Sequence, residues 1–193
     1  MKITDVKNIV DGYLKQFPKE KSRLAGLFTH ISDHSERDIT SRKTSPGHIT
    51  VSGIVLSPDK TKVLMIDHKT LKKTIQPGGH MEPADEDLRS TAIREVREET
   101  GISNLTPLPS DQNLIDISVH PIPANAKKGE PAHLHYDFRY FFIADTEKIV
   151  RQEEETDGAC WMPLAEFAQL NEEFHLISQK IGDFLNVNQG GIN

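Results

Sequence analysis

Residues 77–102 read Pro77-Gly78-Gly79-His80-Met81-Glu82-Pro83-Ala84-Asp85-Glu86-Asp87-Leu88-Arg89-Ser90-Thr91-Ala92-Ile93-Arg94-Glu95-Val96-Arg97-Glu98-Glu99-Thr100-Gly101-Ile102. This is a glycine loop, an acidic entry and one helix closed by glycine. Pro77 and Gly78-Gly79 suit a backbone that bends sharply or approaches a ligand closely. Asp85, Glu86 and Asp87 set negative charge where a helix N-terminus is partially positive. Gly101 follows the last periodic residue, where a helix-ending glycine belongs.

Counting about 100° per residue from Leu88, the apolar Leu88, Ala92 and Val96 span roughly 0° to 80°. Glu95, Glu98 and Glu99 fall at about 340°, 280° and 20°, one carboxylate sector overlapping the edge of that stripe. Like charges at i,i+3 and i,i+4 destabilise a helix by roughly 0.2–0.5 kcal/mol per pair. A divalent cation relieves the repulsion, and Mg²⁺ favours a few carboxylates together with substrate phosphates and its own waters. The plainer reading of the three glutamates is a solvated acidic face balanced by Arg94 and Arg97.

The order Arg94-Glu95-Val96-Arg97-Glu98-Glu99-Thr100-Gly101-Ile102, with Glu86 eight residues before Arg94 and Gly79 upstream, resembles the Nudix box, G-x5-E-x7-R-E-U-x-E-E-x-G-U with U aliphatic. Every position from Glu86 onward matches. Six residues rather than five separate Gly79 from Glu86, and the usual glycine before the acid is replaced by Ala84 and Asp85. Taking Asp85 as the acid restores the first spacing and breaks the second. So many fixed positions make the pattern highly specific. The resemblance covers roughly residues 46–187 and implies the Nudix fold, an α/β/α sandwich with a mixed sheet. Residues 1–45 are expected to be an N-terminal helical extension and linker, and 188–193 a frayed tail.

The rest of the chain supplies the elements of such a fold. Ile3, Val6, Ile9, Val10, Tyr13, Leu14 and Phe17 follow a helical ladder. Pro18 opens a second helical segment with Leu24, Leu27, Phe28 and Ile31 on one side. This pair is expected either to cap its own domain or to form a homodimer with a second subunit. Residues 48–56 and 62–68 read as a hairpin around Ser57-Pro58-Asp59-Lys60. Residues 105–112 read as loop, and 113–119 as a strand broken by His120-Pro121. In 133–143, His133, His135, Asp137 and Arg139 alternate against Leu134, Tyr136, Phe138 and Tyr140. Arg139 and Asp137 are candidate substrate contacts. His133 and His135 are disfavoured as transition-metal ligands, because the acidic cluster elsewhere suits hard cations. Residues 171–185 read as an amphipathic helix.

A net charge of −6 excludes a nucleic-acid-binding surface of the usual basic kind, so an anionic substrate must be drawn in locally by metal and selected basic groups. The single cysteine, Cys160, excludes an intramolecular disulfide and a multi-cysteine zinc site. No stretch approaches the ~20 apolar residues of a membrane span, and a cytoplasmic protein with no membrane or nucleic-acid partner is expected.

Hydrolysing a diphosphate needs neutralised phosphate oxygens, a positioned water and an in-line leaving group, and metal ions can supply all three. The expected ligands are Glu95, Glu98 and Glu99. The resemblance adds the Gly79 carbonyl, and Mg²⁺ as the ion, with Mn²⁺ as the alternative. Arg94 keeps its proton and orients a glutamate, while Glu98 or Glu99 is the base. Glu155, in the acidic loop 152–157, is a further catalytic candidate, since the resemblance implies a carboxylate from a loop there. Glu82 is a candidate outer ligand or substrate contact, and Glu86 a holder of Arg94 or of the loop. The expected activity is hydrolysis of a small nucleotide, a nucleoside diphosphate linked to another moiety, with ADP-ribose or a nucleotide sugar preferred. The alternatives are a nucleoside triphosphate pyrophosphohydrolase of the house-cleaning kind and a non-catalytic nucleotide sensor.

Overall fold

The structure, a computed structural model, describes residues 3–33, 38–69, 72–107, 113–126, 129–150 and 156–189. Helices α1 (Ile3–Gln16) and α2 (Ala25–Asp33) precede strands β1 (Gly47–Leu56), β2 (Lys62–His68), β3 (Lys73–Ile75) and β4 (Gly78–Gly79). Helix α3 (Leu88–Thr100) follows, then β5 (Leu105–Pro107), β6 (Leu114–Ile122), β7 (His133–Ala144), β8 (Thr156–Pro163), α4 (Leu164–Phe167) and α5 (Glu172–Gln189). The class is the expected one: α/β, with a mixed sheet and an N-terminal helical extension. The sheet has the hydrogen-bonded order β3-β2-β1-β7-β5, with β4 added on β1, β6 on β7 and β8 on β2. All ten residues of β1 are buried, the signature of a strand covered on both faces.

The chain divides into two compact units, and β1, α3 and β7 each run through both. The first comprises Met1–Ser52, Gly78–Glu95 and Pro109–Tyr140. Its core includes Val6, Val10 and Tyr13 of α1, Leu27 and Ile31 of α2, Ile49 and Val51 of β1, and Phe138 of β7. Ile9, Leu14, Phe17 and Phe28, on the same two helical segments, stay half-buried. Arg23 Nη2 donates to Asp116 Oδ1 at 2.9 Å, and the Tyr13 hydroxyl lies 3.4 Å from the same oxygen. Tyr13 also bonds Glu20, and burial together with the charge of Asp116 pushes its hydroxyl pKa well above the ordinary phenol range.

The second unit comprises Gly53–Pro77, Val96–Leu108 and Phe141–Asn193. It holds the hairpin pair Leu56↔Val63 and the long β2–β8 ladder from Lys62↔Pro163 to His68↔Thr156. Val96 of α3 lies so close to β1 that a Cβ on Gly53 would sit 2.5 Å from Val96 Cγ2. Only glycine lets helix and strand approach that far. Phe174, Ile177 and Ile181 bury the apolar face of α5, while Leu185 is half-buried.

Two expectations about strands are corrected. Residues 105–107 are not loop but a short strand, with Thr106 opposite Ile143 of β7. Strand β6 does not break at His120-Pro121; it continues, pairing Pro121 with Leu134 and Ile122 with His133. Among the described strands β6 pairs only with β7, so Pro121 can turn its nitrogen away from the ladder, as proline does on edge strands.

Candidate active site

Asp87 begins α3 as its cap: the Ser90 N–H donates to Asp87 Oδ1 at 2.7 Å, and the Asp87 N–H donates to Ser90 Oγ at 2.9 Å. This reciprocal pair satisfies donors that the first turn leaves free. At the other end the Gly101 N–H donates to the Arg97 carbonyl at 2.8 Å, and Gly101 adopts φ +75°, the left-handed closure expected of it. Between these ends Glu95 (7% exposed) and Glu99 (3%) are buried, while Glu98 is exposed.

Gly79 lies against Glu95. A Cβ built on Gly79 would be 2.4 Å from Glu95 Oε1, 2.6 Å from Cδ and 2.9 Å from Oε2. The glycine strand pairs with β1 through Val51↔Gly79 and Ser52↔Gly78, which fixes the bare backbone beside that carboxylate. Arg94 reaches Glu95 Oε1 at 3.0 Å through Nη2, and the same nitrogen donates to the His80 carbonyl at 2.8 Å.

The acid that holds Arg94 is Asp85, not Glu86. Arg94 Nε and Nη2 donate to Asp85 Oδ1 and Oδ2 at 2.9 and 3.0 Å, a bidentate fork. Asp85 Oδ2 also accepts from the Glu82 N–H at 2.8 Å and from the Thr91 hydroxyl at 3.0 Å. Glu86 is exposed. The six-residue spacing from Gly79 is therefore accommodated structurally by the residue one position earlier, which keeps five residues between glycine and acid. Burial tends to raise the Asp85 carboxyl, but Arg94, the Glu82 amide and the Thr91 hydroxyl outweigh it and hold its pKa below the usual carboxylate range.

A depressed folded-state pKa gives stability that is fully present above the unfolded value and is lost as pH falls through the folded one. Asp85→Asn is therefore expected to lower stability at neutral pH by about 1–3 kcal/mol, because it removes the charge from the bidentate fork that holds Arg94. The gap from wild type should close as the wild-type carboxyl protonates in acid. Urea unfolding of both proteins from pH 7 downward measures this; a gap that does not narrow contradicts it.

Arg139 (1% exposed) and Asp137 (4%), the candidate substrate contacts on β7, are both buried. Asp137 accepts from Ser52 Oγ at 2.8 and 2.7 Å and from Arg139 Nε at 3.1 Å. Arg139 also reaches Asp116 Oδ2 at 3.3 Å and His120 Nε2 at 3.0 Å. The polar alternation on β7 thus encodes a buried ion network. Glu82 is exposed on the loop, and Glu155 lies outside the described residues.

His133 and His135, disfavoured as metal ligands from the sequence, belong to a second cluster whose other members, His48 and His80, the sequence did not single out. His48 of β1, His80 of the glycine loop, and His133 and His135 of β7 stack around one another, the three rings nearest His48 having centroids 4.8–5.1 Å from its own. Burial, reinforced by neighbouring positive or protonatable groups, pushes His48 and His135 down to about 4 and His80 down to about 3. The alternation of His48, Thr50 and Ser52 against Ile49 and Val51 was the available signal for the β1 contribution.

The carboxylates of α3 fit a hard divalent cation by donor type. They offer oxygen donors at i, i+3 and i+4, two of them buried, with the carboxylate of Glu95 against a backbone that carries no side chain. Among the described residues no helix is long and apolar enough to cross a membrane.

Comparison with known proteins bears on this arrangement. A family model described as the NUDIX domain matches residues 46–181. A Lactococcus lactis protein named "Probable DHNTP pyrophosphohydrolase" is 34% identical over 100 residues, covering 52% of this chain and 56% of its own. The Xenopus laevis "Nucleoside diphosphate-linked moiety X motif 6" is 44% identical over 88 residues, covering 40% of each chain. The chain thus spans about half the length of the curated relatives it matches. A crystal structure of a NUDIX-family hydrolase from Clostridium perfringens superposes with a TM-score of 0.52 at 21% identity, covering 70% of this chain and 96% of that one. That likeness is one of fold.

Proposed function

Because the chain belongs to the Nudix family, we propose that it is a metal-dependent hydrolase of the diphosphate in a nucleoside diphosphate linked to another moiety. The observation that carries this reading is the buried Glu95 carboxylate, held by Arg94 and seated against Gly79, on a helix that also presents Glu98 and Glu99. Glu95, Glu98, Glu99 and the Gly79 carbonyl would hold Mg²⁺, with Mn²⁺ as the alternative. Bound there, the ion supplies charge neutralisation at the phosphate oxygens and a more acidic water.

The protein groups divide the remaining tasks. Arg94 stays protonated and fixes Glu95 and the loop together. Glu98 is the exposed carboxylate of the three and takes the proton from attacking water; water oxygen bonds to phosphorus, the bridging oxygen leaves, and Glu98 later releases its proton to solvent. Glu155 is the alternative base, and Glu82 meets the substrate from the loop. Residues 46–187 form the hydrolase domain and 1–45 its helical extension, while α5 carries helix past 187 to Gln189, into the stretch expected to be a frayed tail. A homodimer would form through α1 and α2, whose Ile9, Leu14 and Phe28 are only half-buried within one chain. The protein acts in the cytoplasm.

ADP-ribose and nucleotide sugars are the preferred substrates. The relative named as a probable DHNTP pyrophosphohydrolase supports a second reading, a triphosphate pyrophosphohydrolase. Phosphate release coupled to a phosphatase, across ADP-ribose, nucleotide sugars, dinucleoside polyphosphates and nucleoside and pterin triphosphates, separates the two. Turnover of the diphosphate-linked class is expected. Turnover of triphosphates alone moves the assignment to the second reading, and tight binding of one member without turnover identifies a sensor.

A further inference from the structure

We propose that His48, His133 and His135, flanked by His80, form a binding site for a transition-metal ion of the Zn²⁺ class, separate in donor chemistry from the carboxylates of α3. One ligand atom from each of the three histidines can be chosen so that all lie within 4.8 Å of one another. His133 Nε2 and His135 Nε2 are 3.2 Å apart, and His48 Nε2 is 3.0 Å from His80 Nε2. Two nitrogens on one tetrahedral ion at about 2.0–2.1 Å stand about 3.3 Å apart; His133 and His135 already meet that spacing, and His48 closes on them from within 4.8 Å.

Orientation agrees with distance. His133 Nδ1–H donates to the Pro131 carbonyl at 2.8 Å, which places the proton on Nδ1 and leaves the Nε2 lone pair toward His135. A backbone carbonyl on the far nitrogen is the usual outer support of an imidazole ligand. His48 supplies the independent observation. It is 2% exposed, and its Nδ1 is buried with no hydrogen-bond partner among the described residues. With Nε2 engaged by His80, Nδ1 is the His48 nitrogen left to ligate, and imidazoles that merely bonded one another would leave it unexplained.

Neutral nitrogen donors suit Zn²⁺, Cu²⁺, Ni²⁺ or Fe²⁺ rather than Mg²⁺. Arg42 is close enough for its charge to act on His48, His80 and His135, while Glu130 acts oppositely on His48.

The test uses the full chain, stripped with a chelator and titrated with Co²⁺ under excess Mg²⁺, read by visible absorption and by metal content after dialysis. Wild type and Glu98→Gln are both expected to bind one Co²⁺ with the visible bands of a low-coordinate nitrogen site. His133→Ala should weaken binding at least tenfold, and His133→Ala with His135→Ala should abolish it. Circular dichroism confirms folding, and if the double variant does not fold, the single one decides. The absence of a visible band in wild type overturns the site, as does a band lost in Glu98→Gln and kept in His133→Ala. Neither result bears on whether the α3 carboxylates support hydrolysis.

Discussion

Replacing Glu98 by Gln is expected to lower kcat by about 10²–10⁴-fold, with KM little changed. Gln keeps the size and the hydrogen-bonding capacity of the side chain but cannot take a proton from water. Glu98 is exposed on α3, so its replacement by the near-isosteric Gln opens no cavity. Removing one like charge three residues from Glu95 should instead leave stability unchanged or raise it by about 0.2–0.5 kcal/mol. The two readouts therefore move apart: activity collapses while the unfolding midpoint holds or rises. Steady-state kinetics and thermal unfolding on the same preparation check this. A kcat within threefold of wild type would take the base role from Glu98 and pass it to Glu155, where Glu155→Gln becomes the decisive variant.

Gly79→Ala is expected to produce the second largest loss, about 10²-fold in kcat/KM, through geometry rather than charge. The added methyl would meet Glu95 Oε1 at 2.4 Å and Cδ at 2.6 Å, closer than real Cβ contacts come. What it meets is the end of a side chain, so the carboxylate can swing aside; the stability loss should then stay at or below about 1–3 kcal/mol. The displaced carboxylate also leaves its 3.0 Å approach to Arg94. The expected signature is a raised Mg²⁺ requirement together with lost activity. A variant with wild-type Mg²⁺ dependence and a low rate would contradict the placement of Gly79 beside a metal-binding carboxylate.

The parts of this site that were legible in the sequence are those encoded by local spacing. The periodicity of Leu88, Ala92 and Val96 marked the buried stripe, and Gly101 marked the stop, because each reports on neighbours within a turn or two. The assignment of the Arg94 partner was not legible. Asp85 and Glu86 are adjacent acids, and which one meets the guanidinium depends on how the loop folds back through the Glu82 amide and Thr91. The histidine cluster lay further from view, since it joins residues 48, 80, 133 and 135 through strand pairing. Asp116 was missed for the same reason: its partners, Arg23 and Arg139, lie far away in the chain. Alternation on β7 correctly separated polar from apolar faces but could not say that helix and strand residues would enclose the polar one. Pro121 misled because a proline within a strand pattern signals a break unless the strand lies at an edge.

The most direct test of the central claim is the initial rate of diphosphate hydrolysis as a function of Mg²⁺ concentration, for wild type and Glu95→Gln, with the best substrate of the panel. The expected result is saturable dependence in wild type and a curve shifted to at least tenfold higher Mg²⁺ in the variant, with both proteins folded. A rate independent of Mg²⁺ and Mn²⁺, or an identical curve in Glu95→Gln, would contradict the assignment of α3 as the metal-binding element of a hydrolase.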